Sequence, residues 1–387
     1  MKKKIAILGS TGSIGKNLLD IINDDKKNFE VVLLTAKKNY KALLKQATNF
    51  KVKNIIIIDQ ESYKKAKQIN KNNKINIYND FKDFNKIFIS KIDYTMSSII
   101  GLDGLYPTLD IIKYTKTIAI ANKEAIICGW NLIKKKLDLY KTKFLPVDSE
   151  HFSIWKILKS QKIENIDQIF ITASGGPFLN KSINQIKNVK VSAALKHPNW
   201  KMGKKISIDS ATMMNKVFEV VETKNIFSVS YKKISILIHP KSYIHAIVKF
   251  NDGTSQFLTH EPSMKIPIFN TLYLNHSKKI KSKNLDIDIL NNLKLKKIDK
   301  NIFPVIKILE SLPSKSSLFE TVVVSANDQL VNLFINKKIN FHEISKNILK
   351  IINMIEFQKY KKIKPKYIKD IHILSEYVRL KVNSLCV

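Results

Sequence analysis

Arginine is almost absent from this chain. Of its 67 basic residues only Arg379 is arginine. A protein that reads DNA normally keeps arginine forks for bases and phosphates. The formal net charge of +35 therefore does not imply a nucleic-acid partner, although it should attract small anions. Glycine and proline are also scarce, at ten each in 387 residues; an average chain would carry roughly 27 and 19. Lys, Asn and Ile have AT-rich codons and are abundant, so an AT-biased genome accounts for the lysines. Cysteine is limited to Cys128 and Cys386. They make no metal or redox spacing, and the expectation is a reducing cytoplasm. No apolar run approaches the ~20 residues of a membrane span. The basic start is followed only by Ile5 to Leu8, too short for a signal peptide.

Scarcity makes the remaining glycines informative. They cluster at Gly9, Gly12 and Gly15, at Gly101 and Gly104, and at Gly175 and Gly176. Ile5 to Leu8 reads as a buried strand, followed by a glycine-rich turn and an amphipathic helix. Phe29 to Thr35 and Asn54 to Asp59 read as further strands around a helix at Asn39 to Phe50. This βαβαβ alternation predicts a doubly wound parallel sheet, an α/β fold. We expect a Rossmann-like nucleotide domain over 1–150 and an α+β domain over 151–276. The latter includes a hairpin of Ala246–Phe250 and Gln256–Thr259 around Asn251-Asp252-Gly253. A polar linker over 277–300 and a C-terminal helical bundle over 301–387 complete the expectation.

Several runs carry chemistry. In Leu145 to His151, Asp148 and Glu150 flank Ser149. If the run continues a strand, the two carboxylates point the same way. Such a pair needs a cation or a raised pKa, and oxygen ligands favour Mg²⁺ or Mn²⁺; a solvated acidic turn is the alternative. The run Gly9 to Gly15 sits between strand and helix, where amides hold a pyrophosphate. Its second strand ends in Lys37-Lys38-Asn39 with no carboxylate, which suits the 2′-phosphate of NADP(H) rather than NAD. Ala121-Asn122-Lys123-Glu124 follows a later strand, either as a ligand loop or as an ordinary helix start. Ser174-Gly175-Gly176 is either a phosphate nest or a plain turn. The loop His197-Pro198-Asn199-Trp200 is either a lid or a packed segment. In Asp209 to Glu219, read as a cap and then a helix over Ala211 to Val221, Asn215 and Glu219 share a face. Ser210, Asn215 and Lys216 could hold an anion while Glu219 joins Asp148 and Glu150 at a metal. His239 and His245 could both be packed structural residues, and this is the reading for His245.

Together these runs resemble the 1-deoxy-D-xylulose 5-phosphate reductoisomerase family, in order and spacing, across residues 5 to 265. The resemblance implies a homodimer that uses NADPH and Mg²⁺, Mn²⁺ or Co²⁺ on a phosphorylated sugar, with no nucleic-acid or membrane partner. It implies that Thr11, Gly12, Ser13 and Ile14 bind the pyrophosphate. Lys37, Lys38 and Asn39 lie near the 2′-phosphate, and Asn122, Glu124 and Gly203 also contact the cofactor. Asp148, Glu150 and Glu219 hold the metal and count, with Lys123, as the catalytic set. Ser174, His197, Ser210, Asn215 and Lys216 hold the substrate phosphate. Lys123 and Ser149 contact the reacting end, which Trp200 and Met264 cover beneath a lid at 194–204. Two positions depart from the pattern: Lys37 stands where the family usually has glycine, and Ala125 replaces a common serine. The family route is a retro-aldol/aldol rearrangement followed by hydride transfer to an aldehyde. Two other classes remain open on the residues. A phosphorylating semialdehyde- or glyceraldehyde-phosphate-type dehydrogenase would need a nucleophilic cysteine. An NADP-sensing or nucleic-acid-binding protein would leave the paired carboxylates without a role.

Overall fold

The computed structural model describes residues 1–70, 74–200, 202–274 and 278–386. Lys201 of the expected lid lies outside the described residues, as do residues 275–277 around the expected start of the linker. The chain forms two compact units.

The first unit comprises Met1–Ala125, Leu132–Asp148 and Met264–Ile280. Its sheet contains β1 (Lys3–Leu8), β2 (Phe29–Ala36), β3 (Asn54–Ile57), β4 (Asn76–Tyr78), β5 (Tyr94–Ser97), β6 (Thr117–Ile120) and β7 (Lys143–Pro146). The strand order is β4-β3-β2-β1-β5-β6-β7 and every pairing is parallel. Ile5, Ala6, Ile7 and Leu8 are all fully buried, as strands covered on both faces require. The chain builds outward from β1 to β4 and then crosses back to β5. The switch point therefore lies between β1 and β5, at whose carboxyl ends such sheets bind ligands.

Residues 264–276, expected with the α+β domain, belong to this first unit. The helix Lys265–Leu272 packs on the helix Ser13–Asn23. Polar contacts fasten it: Tyr94 Oη lies 2.9 Å from Thr271 Oγ1, Tyr273 Oη donates to Asp25 at 2.7 Å, and Lys3 Nζ donates to the Leu272 carbonyl at 2.8 Å.

The second unit comprises Ile126–Asn131, Ser149–Ser263 and Lys281–Val387. Its sheet holds β8 (Ile166–Ala173), β9 (Ile234–Ile238), β10 (Ile244–Phe250), β11 (Ser255–Thr259) and β12 (Lys296–Lys297), in the order β11-β10-β8-β9-β12. β10 pairs antiparallel with both β8 and β11, while β8 and β9 run parallel. The β10–β11 hairpin turns at Gly253, whose φ of 85° is left-handed and suits glycine. The segment read as a linker carries a short helix at Ile287–Asn291 and β12, which pairs with β9. The C-terminal helices Phe319–Ile335, Phe341–Ile352 and Ile368–Cys386 bury Val322, Ala326, Ile344, Ile348, Leu374 and Val378.

Two local readings change. The strand β7 ends at Pro146, and Ser149–Ile157 is a helix. Glu150 thus projects from a first helical turn, so the alternation of an extended chain cannot bring it towards Asp148. The helix expected over Ala211 to Val221 is broken. Lys204–Ala211 is one helix and Met214–Phe227 another, separated by Met213 in the left-handed region at φ 70°. Ser210 therefore sits in the last turn of a helix and not near the start of one.

Candidate active site

In the first unit the glycine-rich turn is held tightly over the carboxyl end of β1. Gly9 adopts φ 85°, and its amide donates to Thr35 Oγ1 at 2.9 Å. A Cβ on Gly15 would stand 2.5 Å from Ser10 Cα, so only glycine lets the helix pack this close. The helix Ser13–Asn23 starts after Gly12 with no side-chain cap and no acidic residue in its first turn. Its free amides and positive dipole end suit a pyrophosphate, and Thr11, Gly12, Ser13 and Ile14 form that end.

The flanking loops complete a crevice. Asn39 caps the helix Tyr40–Asn49 by accepting from Ala42 N at 3.3 Å. Lys37, after β2, forms an exposed ion pair of 2.8 Å with Asp103, after β5. β2 and β5 are the two neighbours of β1, so this pair spans the end of the glycine-rich strand. After β6, Asn122 caps the helix Lys123–Tyr140 through Ala125 N at 2.8 Å. Its amide donates to the Ile99 and Gly101 carbonyls of the switch-point loop. Glu124 is buried, and Lys123 Nζ lies 2.5 Å from Asp148 Oδ2. Met264 occupies the cap position of the helix Lys265–Leu272.

In the second unit the helices Ser149–Ile157 and Met214–Phe227 pack together and face their polar residues at each other. Lys216 Nζ lies 2.5 Å from Glu150 Oε1 and 2.5 Å from Glu219 Oε2. Asn215 Nδ2 donates to the other oxygen of Glu219, and Ser149 Oγ donates to Glu150 Oε2 at 2.6 Å. Burial alone would lower the Lys216 pKa, but the charges and hydrogen bonds of the two glutamates outweigh it and hold it raised. Asp148 immediately precedes the first of these helices. One carboxylate oxygen from each of Asp148, Glu150 and Glu219 lies within 4.8 Å of the others. Glu150 and Glu219 already share one cation, the Lys216 ammonium, and Asp148 pairs with another, Lys123, so the hard-oxygen set fits a divalent cation.

A hydroxyl–imidazole pair lies in the same unit. Ser174 Oγ is 3.1 Å from His197 Nε2 and accepts from Gly176 N at 3.1 Å. His197 Nδ1 accepts from the amides of Asn199 and Trp200 at 3.1 and 3.0 Å, which assigns the proton to Nε2. Burial, and then the nearby charge of Lys216, lowers the His197 pKa to about 4. Gly175 and Gly176 have φ of 87° and 67°. A Cβ on Gly176 would stand 2.9 Å from the Ser210 carbonyl oxygen, so the nest lies directly against Ser210. Lys216, expected among the phosphate ligands, lies against the two carboxylates of Glu150 and Glu219. Trp200 rests edge-on against His245 with ring centroids 6.1 Å apart, and His245 stacks on His260 at 3.7 Å. Gly203 caps the helix Lys204–Ala211.

The sequence reading missed His151. It is fully buried, with Nε2 3.0 Å from the Glu219 carbonyl and 3.1 Å from Thr223 Oγ1. It therefore sets the register between the two carboxylate-bearing helices. Its place beside Glu150 was the only available signal.

A parallel sheet with a glycine-rich turn at its switch point, joined to an α+β unit bearing clustered carboxylates, defines a dinucleotide-dependent oxidoreductase class. Comparison with known proteins narrows this. Residues 5–129 match the profile of 1-deoxy-D-xylulose 5-phosphate reductoisomerase, 144–227 that of its C-terminal domain, and 260–381 a further DXP reductoisomerase C-terminal domain. A 1-deoxy-D-xylulose 5-phosphate reductoisomerase from Pelagibacter ubique is 61% identical over 387 residues, covering 100% of both chains. One from a Sulfurihydrogenibium species is 40% identical, covering 92% of each. The Zymomonas mobilis enzyme solved with NADPH superposes with a TM-score of 0.88 at 31% identity, over 100% of this chain and 99% of that one. A DOX-P reductoisomerase solved with NADPH, fosmidomycin and magnesium gives 0.90 at 30% identity, over 99% and 98%. The chain belongs to the 1-deoxy-D-xylulose 5-phosphate reductoisomerase family.

Proposed function

We propose that this protein converts 1-deoxy-D-xylulose 5-phosphate to 2-C-methyl-D-erythritol 4-phosphate, with NADPH and a divalent cation, in the non-mevalonate isoprenoid pathway. We further propose that it works as a homodimer in the cytoplasm; no helix among the described residues is long and apolar enough to cross a membrane. The observation that carries the reading is the buried Glu150–Lys216–Glu219 cluster, with Asp148 alongside and a hydroxyl–imidazole pair in the same unit.

The metal ligands would be Asp148, Glu150 and Glu219. When bound, the cation would polarise the substrate carbonyl and acidify the neighbouring hydroxyl, and NADPH would supply hydride. The residues of the chain do the rest. Ser174 Oγ and His197 Nε2–H would donate to the substrate phosphate, joined by Ser210, Asn215 and Lys216. A neutral imidazole binds the phosphate without adding a charge that would compete with the carboxylate site. Lys216 carries the positive charge next to the carboxylates and can follow either the phosphate or the acids. Lys123, held by Asp148, would keep an ammonium at the reacting end, and Ser149 a hydroxyl. The segment 194–204 would close over the fragments and exclude water. Thr11 to Ile14 would bind the pyrophosphate, with Lys37, Lys38 and Asn39 at the 2′-phosphate and Asn122, Glu124 and Gly203 completing the cofactor site.

A phosphorylating dehydrogenase is disfavoured, because Cys128 is buried within the helix Lys123–Tyr140 and a thioacyl nucleophile must reach substrate. The test is loss of NADPH absorbance on adding 1-deoxy-D-xylulose 5-phosphate, with and without Mg²⁺. Metal-dependent oxidation is expected; folded protein that oxidises no NADPH in either condition would overturn the reading.

A further inference from the structure

The one arginine of the chain stands at the partly exposed end of a run of ion pairs. Arg379, on the helix Ile368–Cys386, places Nη2 3.1 Å from Asp328 Oδ2, and its Nε reaches Ser375 Oγ at 3.4 Å. Asp328 lies on the helix Phe319–Ile335, and its Oδ1 forms an ion pair of 3.0 Å with Lys205. The same Lys205 ammonium lies 3.0 Å from Asp209 Oδ2, one helical turn on. Asn327, beside Asp328, donates to Asp209 Oδ1 at 2.7 Å. Both oxygens of Asp209 are thus held. The two aspartate side chains are only 3% and 8% exposed, against 24% for Lys205 and 36% for Arg379, so the chain Arg379–Asp328–Lys205–Asp209 is a charge-balanced network whose carboxylates are buried.

Its far end is the segment placed at the substrate. Asp209 precedes Ser210, whose carbonyl faces the Gly175–Gly176 nest, and the left-handed Met213 then aims Asn215 and Lys216 from the next helix. Ser210 closes a short helix of eight residues, Lys204–Ala211, which has little stability of its own. In a chain whose other basic residues are all lysine, Arg379 makes a two-nitrogen grip that lysine cannot copy.

We propose that Arg379 is a positioning residue: through Asp328, Lys205 and Asp209 it fixes Ser210 and the turn that delivers Asn215 and Lys216 to the substrate phosphate. The inference rests on the phosphate role given above to Ser210. It assigns the C-terminal helix a part in substrate affinity, beyond packing. The side chains that Arg379 meets are Asp328 and Ser375, so it would act through them and not on the substrate.

The test uses the full chain with saturating NADPH and Mg²⁺, comparing Arg379→Ala, Arg379→Lys and Asp328→Asn. Arg379→Ala should raise the KM for 1-deoxy-D-xylulose 5-phosphate and the Kd for inorganic phosphate about tenfold, as small displacements of binding groups do. Its kcat and NADPH Kd should stay within about twofold of the parent, for the same reason that only phosphate geometry is displaced. Arg379→Lys should recover part of the loss, and Asp328→Asn should move the same two quantities. A lowered melting temperature with unchanged KM and phosphate Kd would make the network purely structural and overturn the proposal; if Arg379→Ala does not fold, Arg379→Lys and Asp328→Asn decide by the same two readouts. Ser210→Ala separates the two claims. If it leaves KM unchanged, the phosphate assignment itself fails; if it raises KM while the Arg379 variants do not, only the relay fails.

Discussion

Replacing Lys216 by methionine should make stability depend on metal. In the structure the Lys216 ammonium is buried and lies 2.5 Å from each of two glutamates. Removing it leaves two carboxylates facing each other with no cation between them. Breaking a buried ion pair by deleting one partner costs about 3–5 kcal/mol. For a unit of this size that corresponds to a melting temperature lower by on the order of 10 °C. Mg²⁺ would occupy the vacated charge, and at a hundred times its Kd would return about 2.7 kcal/mol. The assay is thermal melting of Lys216→Met and wild type, each in chelator and in saturating Mg²⁺. The variant should melt far below wild type in chelator and gain more from Mg²⁺ than wild type does. A variant that melts within about 2 °C of wild type in chelator, too small a shift for a lost buried pair, would refute the reasoning. So would an equal gain from metal in the two proteins.

Other predictions follow from single contacts. Glu219→Gln should lower turnover by orders of magnitude with an unchanged circular dichroism spectrum; near-normal turnover in saturating Mg²⁺ would remove Glu219 from the metal site. Asp103→Asn should release Lys37 from its exposed partner and tighten NADPH about threefold, the scale of a surface ion pair, with no change for NADH; fluorescence titration reads both. Stability should fall in mild acid. Burial lowers the pKa of both His197 and His260 to about 4, against 6.5 in an unfolded chain. The unfolded state therefore binds more protons between those values. Stability is full above about pH 6.5 and is lost as pH falls through about 4. Denaturant melts of His260→Gln should show a shallower fall across that window than wild type, and an identical slope would contradict this origin.

The nucleotide half was legible because its signals are local. An apolar tetrad, a glycine-rich turn and a helix follow one another between Ile5 and Asn23, and the scarcity of glycine made those present conspicuous. The local geometry of Asp148 and Glu150 was misread as that of a strand. Asp148 ahead of Ser149-Glu150 is also a helix-start pattern, and the helix Ser149–Ile157 now brings Glu150 to Lys216. The break at Met213 had no sequence signal, since a left-handed methionine is imposed by packing; Met213 is 2% exposed. The contact of Lys216 with Glu219, three positions on, was within reach of the sequence, whereas its contact with Glu150 was not, because the two lie 66 residues apart. The same limit hid the link from Arg379 to Asp209 and the return of residues 264–276 to the first unit.

The central claim, that Asp148, Glu150 and Glu219 form the metal site, is tested most directly by anomalous diffraction from crystals grown with Mn²⁺. The account predicts one strong peak at about 2.2 Å from an oxygen of each carboxylate, the distance for a small hard cation, with the Lys216 ammonium displaced from between the glutamates. A peak that touches none of the three, in crystals whose protein shows metal-dependent turnover, would contradict it.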